Sequence, residues 1–381
     1  MDIVFFSNFI NHHQKFLADE IFKLTNGEYI FVETMKVPDT FINTGYPNYS
    51  YEKYVLRAWE SNENMEKAKQ LACEADVAMF DGYESLPFEL IRSKNPEKLS
   101  FEVSERWFKR GYINLLSPRF LKWYYNYIRF FRKCNTYKLC CSAYLPNDMY
   151  FLHAFKNRCF KWGYFTKVTK SNRDFLIGSS KIKLMWCARF IKLKKPELAI
   201  KLVHKLVKSG YDVELNMFGS GKKIKSCKKM VEDNGLSSYV HFMGNLDNNE
   251  ILRQMSIHDI FLFTSDKNEG WGAVANEAMS NGCILVGSNM IGSVPFLIND
   301  GINGLIFKTN SLTSLYEKVE YLINNPQERS RMASQGQRDM YSIWSPENAA
   351  KSLLQLISDL KISSSTSINY GPGSKATPIV I

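Results

Sequence analysis

The stretch NEGWGAVANEAMSNGCILVGS, residues 268–288, decides the fold. It follows the apolar run IFLFTS (260–265) and reads as a loop, a helix, a small-residue turn and a second apolar strand, ILVGS (284–288). Two short apolar runs joined by one helical segment make a parallel strand–helix–strand unit, because parallel neighbours need a crossover. Two carboxylates flank the glycine-rich helix start: Glu269 before it and Glu277 within it.

The same alternation extends in both directions. Upstream lie KLMWCAR (183–189), VELNMFG (213–219) and VHFMG (240–244), and downstream GLIF (304–307). The segment PELAIKLVHKLVK places Leu198, Leu202, Val203 and Leu206 on one face, as a helix covering a sheet requires. An earlier set, DIVFF (2–6), YIFVET (29–34), DVAMFDG (76–82), LSFEVSE (99–105) and YKLCCS (137–142), repeats the pattern. The chain therefore reads as α/β, with two units built on parallel sheets. The expected division is 1–165, a polar linker TKVTKSNRDFLIGSSK (166–181), and 182–345. A final helix (346–362) is expected to pack back toward the first domain. The Ser-, Thr-, Gly- and Pro-rich tail (363–381) is expected to be disordered.

Bulk properties narrow the function. With 381 residues and 45% hydrophobic composition, each domain can bury a core. The net charge of +11 points to an anionic partner: nucleic acid, a lipid surface or a phosphorylated small molecule. The basic residues follow no recognised nucleic-acid module, which argues against the first. Eight cysteines lack zinc-site spacing and read as reduced thiols. MDIVFFSNF has neither the basic start nor the apolar length of a signal peptide, and no apolar run is long enough to span a bilayer. The expected location is the cytoplasm, with peripheral attachment at the cytoplasmic face of the inner membrane.

Ligands of open parallel sheets bind at the carboxyl ends of the strands. In the second unit those ends carry Arg189 with Lys194 and Lys195, the loop Gly219-Ser220-Gly221-Lys222, Gly244-Asn245, then Glu269, Gly270, Trp271, Gly272 and Ala273. Cations suit phosphate oxygens, bare glycine amides allow close approach, and carboxylates accept from vicinal hydroxyls. That inventory suits a nucleoside diphosphate bearing a sugar.

In their order, ARFIKLKKPELAI, FGSGKK, VHFMGNLDNNEI, NEGWGAVANEAMSNG and INDGINGLIF resemble the C-terminal domain of retaining glycosyltransferases of the GT-B fold, family 4. The resemblance covers residues 182–345. It implies two Rossmann-like domains facing across a cleft and a nucleotide-sugar donor held mainly by the second. By position it implies that Arg189 and Lys194 neutralise the diphosphate and that Glu277 holds the ribose. Glu269 would contact the transferred sugar beside the amides of Gly270, Trp271, Gly272 and Ala273. Gly219, Gly244 and Asn245 would edge the donor. Such enzymes need no DxD motif and no metal, and this chain has no such motif. Where many relatives carry a glycine-rich first loop, this chain has SNFINHHQ. His12, His13 and Ser142 are the candidate acceptor or cleft residues there. LCCSAYLPNDMY and KWGYF resemble a subgroup that builds bacterial surface polysaccharide.

SPRFLKWYYNYIRFFRK (117–133) is a basic aromatic helix without a single acid. Ser117 can cap it, and Arg119, Lys122, Arg129, Arg132 and Lys133 fall in one sector. It reads either as a membrane-surface helix or as a core helix with a solvated basic face. The leading expectation is a retaining glycosyltransferase acting on a glycan acceptor, lipid-linked by expectation. A sugar-nucleotide epimerase of the same fold and a non-catalytic nucleotide-sugar binding protein are the rivals. Oligomeric state is open.

Overall fold

The computed structural model describes residues 1–39, 47–109, 111–168 and 181–379. They form two compact units: Met1–Thr166 together with Ser345–Ile381, and Lys167–Trp344. Most of the expected linker, residues 169–180, lies outside the described residues.

Unit 1 has seven parallel strands: β1 (Ile3–Ser7), β2 (Tyr29–Glu33), β3 (Val55–Arg57), β4 (Val77–Asp81), β5 (Ser100–Ser104), β6 (Thr136–Cys140) and β7 (Cys159–Lys161). Their order across the sheet is β3-β2-β1-β4-β5-β6-β7. Unit 2 has six: β8 (Ile182–Cys187), β9 (Val213–Phe218), β10 (Val240–Gly244), β11 (Ile260–Phe263), β12 (Ile284–Ser288) and β13 (Leu305–Phe307), ordered β10-β9-β8-β11-β12-β13. Both orders start at an inner strand, run outward, then reverse. The reversal opens a crevice between β1 and β4 in one sheet, and between β8 and β11 in the other.

The strands read as unbroken apolar runs because helices cover both faces of each sheet. All five residues of β1, β6 and β12 are buried. In unit 2 the helix Pro196–Lys208 has Pro196 in its first turn and buries Leu198, Leu202, Val203 and Leu206. Each such side chain stabilises the fold by roughly 1.5–3 kcal/mol. The helix His12–Leu24 starts at a reciprocal cap. Asn11 accepts from the His13 amide at 2.9 Å, and Gln14 reaches back to the Asn11 amide.

The tail differs from expectation. Residues 363–379 are ordered and close the β7 edge. The Lys161 amide donates to Ser374 O at 2.7 Å, Gly373 N to Lys161 O at 2.8 Å and Ala376 N to Cys159 O at 2.9 Å. The pairing of Phe160 with Lys375 is antiparallel. Asn147 brackets Ile379 through both its side-chain groups. Composition pointed to disorder, but it cannot register that an edge strand offers a row of open backbone groups to any segment within reach. The preceding helix, Pro346–Ile362, belongs to unit 1 and lies against His12–Leu24.

The basic aromatic segment also differs in detail. It is helical over Pro118–Arg129, breaks at Phe130, and ends in a 3-10 turn, Phe131–Lys133. Ser117 occupies the cap position but its side chain makes no capping bond.

Candidate active site

In unit 2 the strand ends on both sides of the crevice are fastened together. The Trp186 indole donates to Thr264 Oγ1 at 2.9 Å, and that hydroxyl donates to Lys194 O at 2.7 Å. The Asp266 amide donates to Leu193 O at 2.8 Å. This lattice ties the loop after β8 to the loop after β11. On it, Lys194 Nζ meets Glu269 Oε2 at 2.5 Å, with both side chains largely withdrawn from water. Lys195 Nζ lies 3.7 Å from Asp266. Arg189 stands exposed at the end of β8.

Two glycines let the backbones close. At Gly219 (φ +117) an added Cβ would fall 2.1 Å from Ala188 O, and at Gly272 (φ +74) 2.4 Å from Phe263 Cζ. No side chain fits at either place. Gly219 N donates to Gly244 O at 2.7 Å, and Asn245 reaches Ser220 Oγ at 3.1 Å, so the β9 and β10 ends are tied to each other.

Glu277 lies one turn inside the helix Val274–Ser280. Burial alone pushes its carboxyl up to about 7, and no described donor pairs with it. Such a group keeps acceptor capacity that no described donor uses. The helix spans only two turns, so it carries little of a long helix dipole, and its Ala275 amide is already taken by Gly272 O at 3.0 Å.

The Trp271 side chain turns away from the rim, consistent with an expectation that concerned only its amide. Its ring is fully buried, bonded through Nε1 to Asn276 at 2.8 Å and packed near Trp344 and Phe296. Only its backbone is available to a ligand. The hydroxyls of Ser288 and Ser293, buried and without a hydrogen-bond partner, lie at and beyond the β12 end.

In unit 1 the crevice between β1 and β4 holds a cluster that sequence reading found only in part. The His12 and His13 ring centroids are 3.6 Å apart, and His13 stacks on Tyr164 at 5.3 Å. Burial, then the His12 charge, pushes His13 down to about 3, so it is neutral, with Nδ1 unpartnered. Asp81, at the end of β4, accepts from Ser7 at 3.1 Å and from Gln14 at 3.4 Å. Burial raises it to about 6. Tyr164 donates to Glu105 at 2.8 Å. The signal that could have found Asp81 is an acid closing an apolar strand, MFDG. Ser142 follows the end of β6. It is fully buried and its hydroxyl caps the local turn at the Tyr144 amide, 3.3 Å away.

Comparison with known proteins bears on the second unit first. The family model "Glycosyl transferases group 1" matches residues 168–339. A poly(glycerol-phosphate) alpha-glucosyltransferase of Bacillus subtilis is 27% identical over 159 residues, 42% of this chain and 23% of that protein. An uncharacterized glycosyltransferase of Methanocaldococcus jannaschii is 25% identical over 203 residues, 52% of each. The chain thus spans about half or less of the length of these curated relatives. Among solved structures, Anabaena HepE in complex with UDP superposes with a TM-score of 0.71 at 16% identity, over 94% of this chain and 100% of that one. At that identity the likeness shows the fold: two Rossmann-like α/β units of the GT-B type.

Proposed function

We propose that the protein is a retaining glycosyltransferase of the family 4 kind. It moves a sugar from a nucleoside diphosphate donor on unit 2 to a hydroxyl of a glycan acceptor in bacterial surface-polymer synthesis. The observation that carries this reading is the set at the β8/β11 crevice: the Lys194–Glu269 pair, the free guanidinium end of Arg189, and the unpartnered Glu277. Arg189 and Lys194 would face the diphosphate, Glu277 the ribose hydroxyls, and Glu269 the hydroxyls of the transferred sugar. The B. subtilis relative, named for glucosyl transfer to poly(glycerol-phosphate), supports a polymer as the acceptor class.

In this reading the bond from the anomeric carbon to the phosphate oxygen breaks while the acceptor oxygen bonds on the same face. The acceptor's proton passes to the departing diphosphate. Lys194 and Arg189 hold the charge that develops on that leaving group, the task a divalent ion performs elsewhere, so no metal is invoked. The test is a thermal-shift screen of nucleotide sugars, followed by transfer to glycan acceptors in excess chelator, with the product's anomeric configuration read by proton NMR. Transfer with retention supports the reading. An inverted product, or activity restored only by magnesium or manganese, contradicts it. Donor sugar epimerised at one carbon without acceptor would favour the epimerase.

The acceptor is proposed to be lipid-linked. The helix Pro118–Arg129 supports this with Leu121, Tyr125 and Ile128 exposed beside its cations. Among the described residues no helix is long and apolar enough to cross a membrane.

A further inference from the structure

Unit 1 has a pocket of about 300 Å³ where three elements meet: the end of the helix Pro118–Arg129 with its 3-10 turn, the start of β6, and the loop that leads into β7. The sheet is parallel, so this is the opposite end of it from the crevice that holds His12, His13 and Asp81. Arg132 reaches the pocket from the turn, and His153, Lys156 and Arg158 reach it from the loop. No acid is among the described residues that line it. Among the described residues Arg132, His153 and Lys156 make no ion pair and no side-chain hydrogen bond. Arg158 donates to Cys134 O at 2.8 Å and lies over the Tyr137 ring, 5.6 Å from its centroid.

A cation just past a helix C-terminus has an ordinary electrostatic reason to be there, and that accounts for Arg132. It does not account for Lys156 and Arg158, which arrive from a different element and bring like charge to the same concave wall. The uncharged groups are donors as well. Tyr127 and Thr136 line the pocket and are each 4% exposed. The Tyr127 oxygen accepts from the Phe155 amide at 2.8 Å, and its own proton has no acceptor among the described residues. The Thr136 hydroxyl has no partner among them. The successive amides of Lys156 and Asn157, in the turn before β7, also donate to nothing in the described chain. Successive free amides in a turn are a recurrent way of holding an anion.

Donors on every side call for a ligand rich in acceptors and negatively charged. A neutral ligand would leave the cations unpaired. A carboxylate has two oxygens and would leave most of these donors idle. A phosphate monoester brings three acceptor oxygens and about −1.5 to −2 charge at neutral pH, and guanidinium groups grip it in pairs of hydrogen bonds. We propose that this pocket binds a phosphate monoester, with Arg132, Lys156 and Arg158 on its oxygens and the Tyr127 and Thr136 hydroxyls donating to it. The phosphate belongs either to a lipid headgroup or to a soluble ester. The site stands on unit 1 alone and does not depend on the glycosyl-transfer reading.

The experiment is histidine-selective NMR of the full chain, at fixed ionic strength in a buffer free of phosphate. The His153 ring signal, assigned by its absence in His153→Gln, reports on the pocket itself. Inorganic phosphate and glycerol 3-phosphate are the probes, and acetate is the contrast. Both phosphates should shift that signal saturably, and acetate should not. Arg132→Ala and Lys156→Ala remove exposed side chains without partners, so both should fold normally, which circular dichroism verifies. Each should weaken binding about tenfold, the scale of one charge-assisted hydrogen bond. Lys122→Ala, on the same helix but over the Tyr83 ring, should leave affinity unchanged. Phosphatidylcholine vesicles carrying phosphatidic acid, set against vesicles carrying phosphatidylglycerol at equal surface charge, identify the source. A preference for phosphatidic acid that Lys156→Ala removes makes the ligand a lipid headgroup. Soluble binding without that preference makes it a free ester. A His153 signal that neither phosphate moves overturns the proposal. So does an equal response to acetate, or a loss in Lys122→Ala as large as that in Lys156→Ala.

Discussion

Lys194 and Glu269, 75 positions apart in the chain, form an ion pair across the crevice between β8 and β11. Neither residue lies in a strand. Each is held by a loop that the Trp186–Thr264–Lys194 chain of hydrogen bonds fixes in place. The pair is thus set in position by its surroundings, as the proposed stabilisation of a departing diphosphate would require.

Lys194→Ala should lower kcat by about 10²–10³, the scale on which one preorganised charge contributes. It should also destabilise unit 2 by about 1–3 kcal/mol, because Glu269 is left part-buried without its partner. Lys194→Arg should restore stability more than turnover. Steady-state kinetics beside urea denaturation separates the two effects. A Lys194→Ala enzyme with parental kcat would remove the residue from the reaction.

The Glu277 carboxyl is raised from 4.5 to about 7 by burial. A carboxyl raised in the folded state favours folding fully below its unfolded value, and that contribution is lost as pH rises through about 7. For a shift of this size it amounts to about 3 kcal/mol. Under the proposed ribose role binding runs the other way, since ribose hydroxyls would need the ionised form as acceptor. Affinity for UDP-glucose, whose phosphates do not titrate in this range, should rise about tenfold from pH 6 to pH 8. Glu277→Gln should flatten the profile at a lower plateau. Calorimetry at three pH values decides it; a parent profile as flat as the variant's excludes the ribose role.

Gly219 and Gly244 both have positive φ, but their surroundings differ. A Cβ at Gly219 meets Ala188 O at 2.1 Å, whereas one at Gly244 meets nothing within 4 Å. Gly219→Ala should therefore cost about 3 kcal/mol or more, from backbone strain and overpacking together. Gly244→Ala should cost only the conformational part, about 1–2 kcal/mol. Equal shifts in the urea midpoint would show that the loops give way freely.

The exposed row Leu121, Tyr125 and Ile128 lies on a helix with Lys122 and Arg129, followed by Lys133. Replacing those three cations with glutamate should remove sedimentation with anionic vesicles at low salt, at about 1 kcal/mol per cation. Affinity for whichever nucleotide sugar the donor screen identifies should remain. Parent and variant sedimenting alike would assign the helix to packing alone.

Much of this was legible in the sequence, for a physical reason. Leu198, Leu202, Val203 and Leu206 had to share a buried face, and the run 284–288 had to be a strand buried on both sides, because period and length admit little else. The rim residues followed from the rule that loops after parallel strands share one edge. What escaped has no periodic signature. β3 and β7 are three residues each, too short to alternate. Trp271 sits among glycines in a loop, and only packing against Trp344 and Phe296 turns it inward. Lys138 lies inside an apolar strand, and that it is buried with Glu102 and Glu89 is a fact of three dimensions. The tail's edge pairing is likewise set by distant backbone.

The interruption of unit 1 by Lys167–Trp344 has a consequence for synthesis on the ribosome. The helix Pro346–Ile362, which lies against His12–Leu24, and the residues that cap β7 emerge only after unit 2. At 5–20 residues per second the first seven strands wait roughly 10–35 s for them, while unit 2 is complete as soon as it has emerged. During that interval the apolar side of His12–Leu24 is bare in the nascent chain. Chaperones should therefore engage the first unit rather than the second, and stop codons placed between 345 and 362 should yield chains in which only unit 2 resists protease.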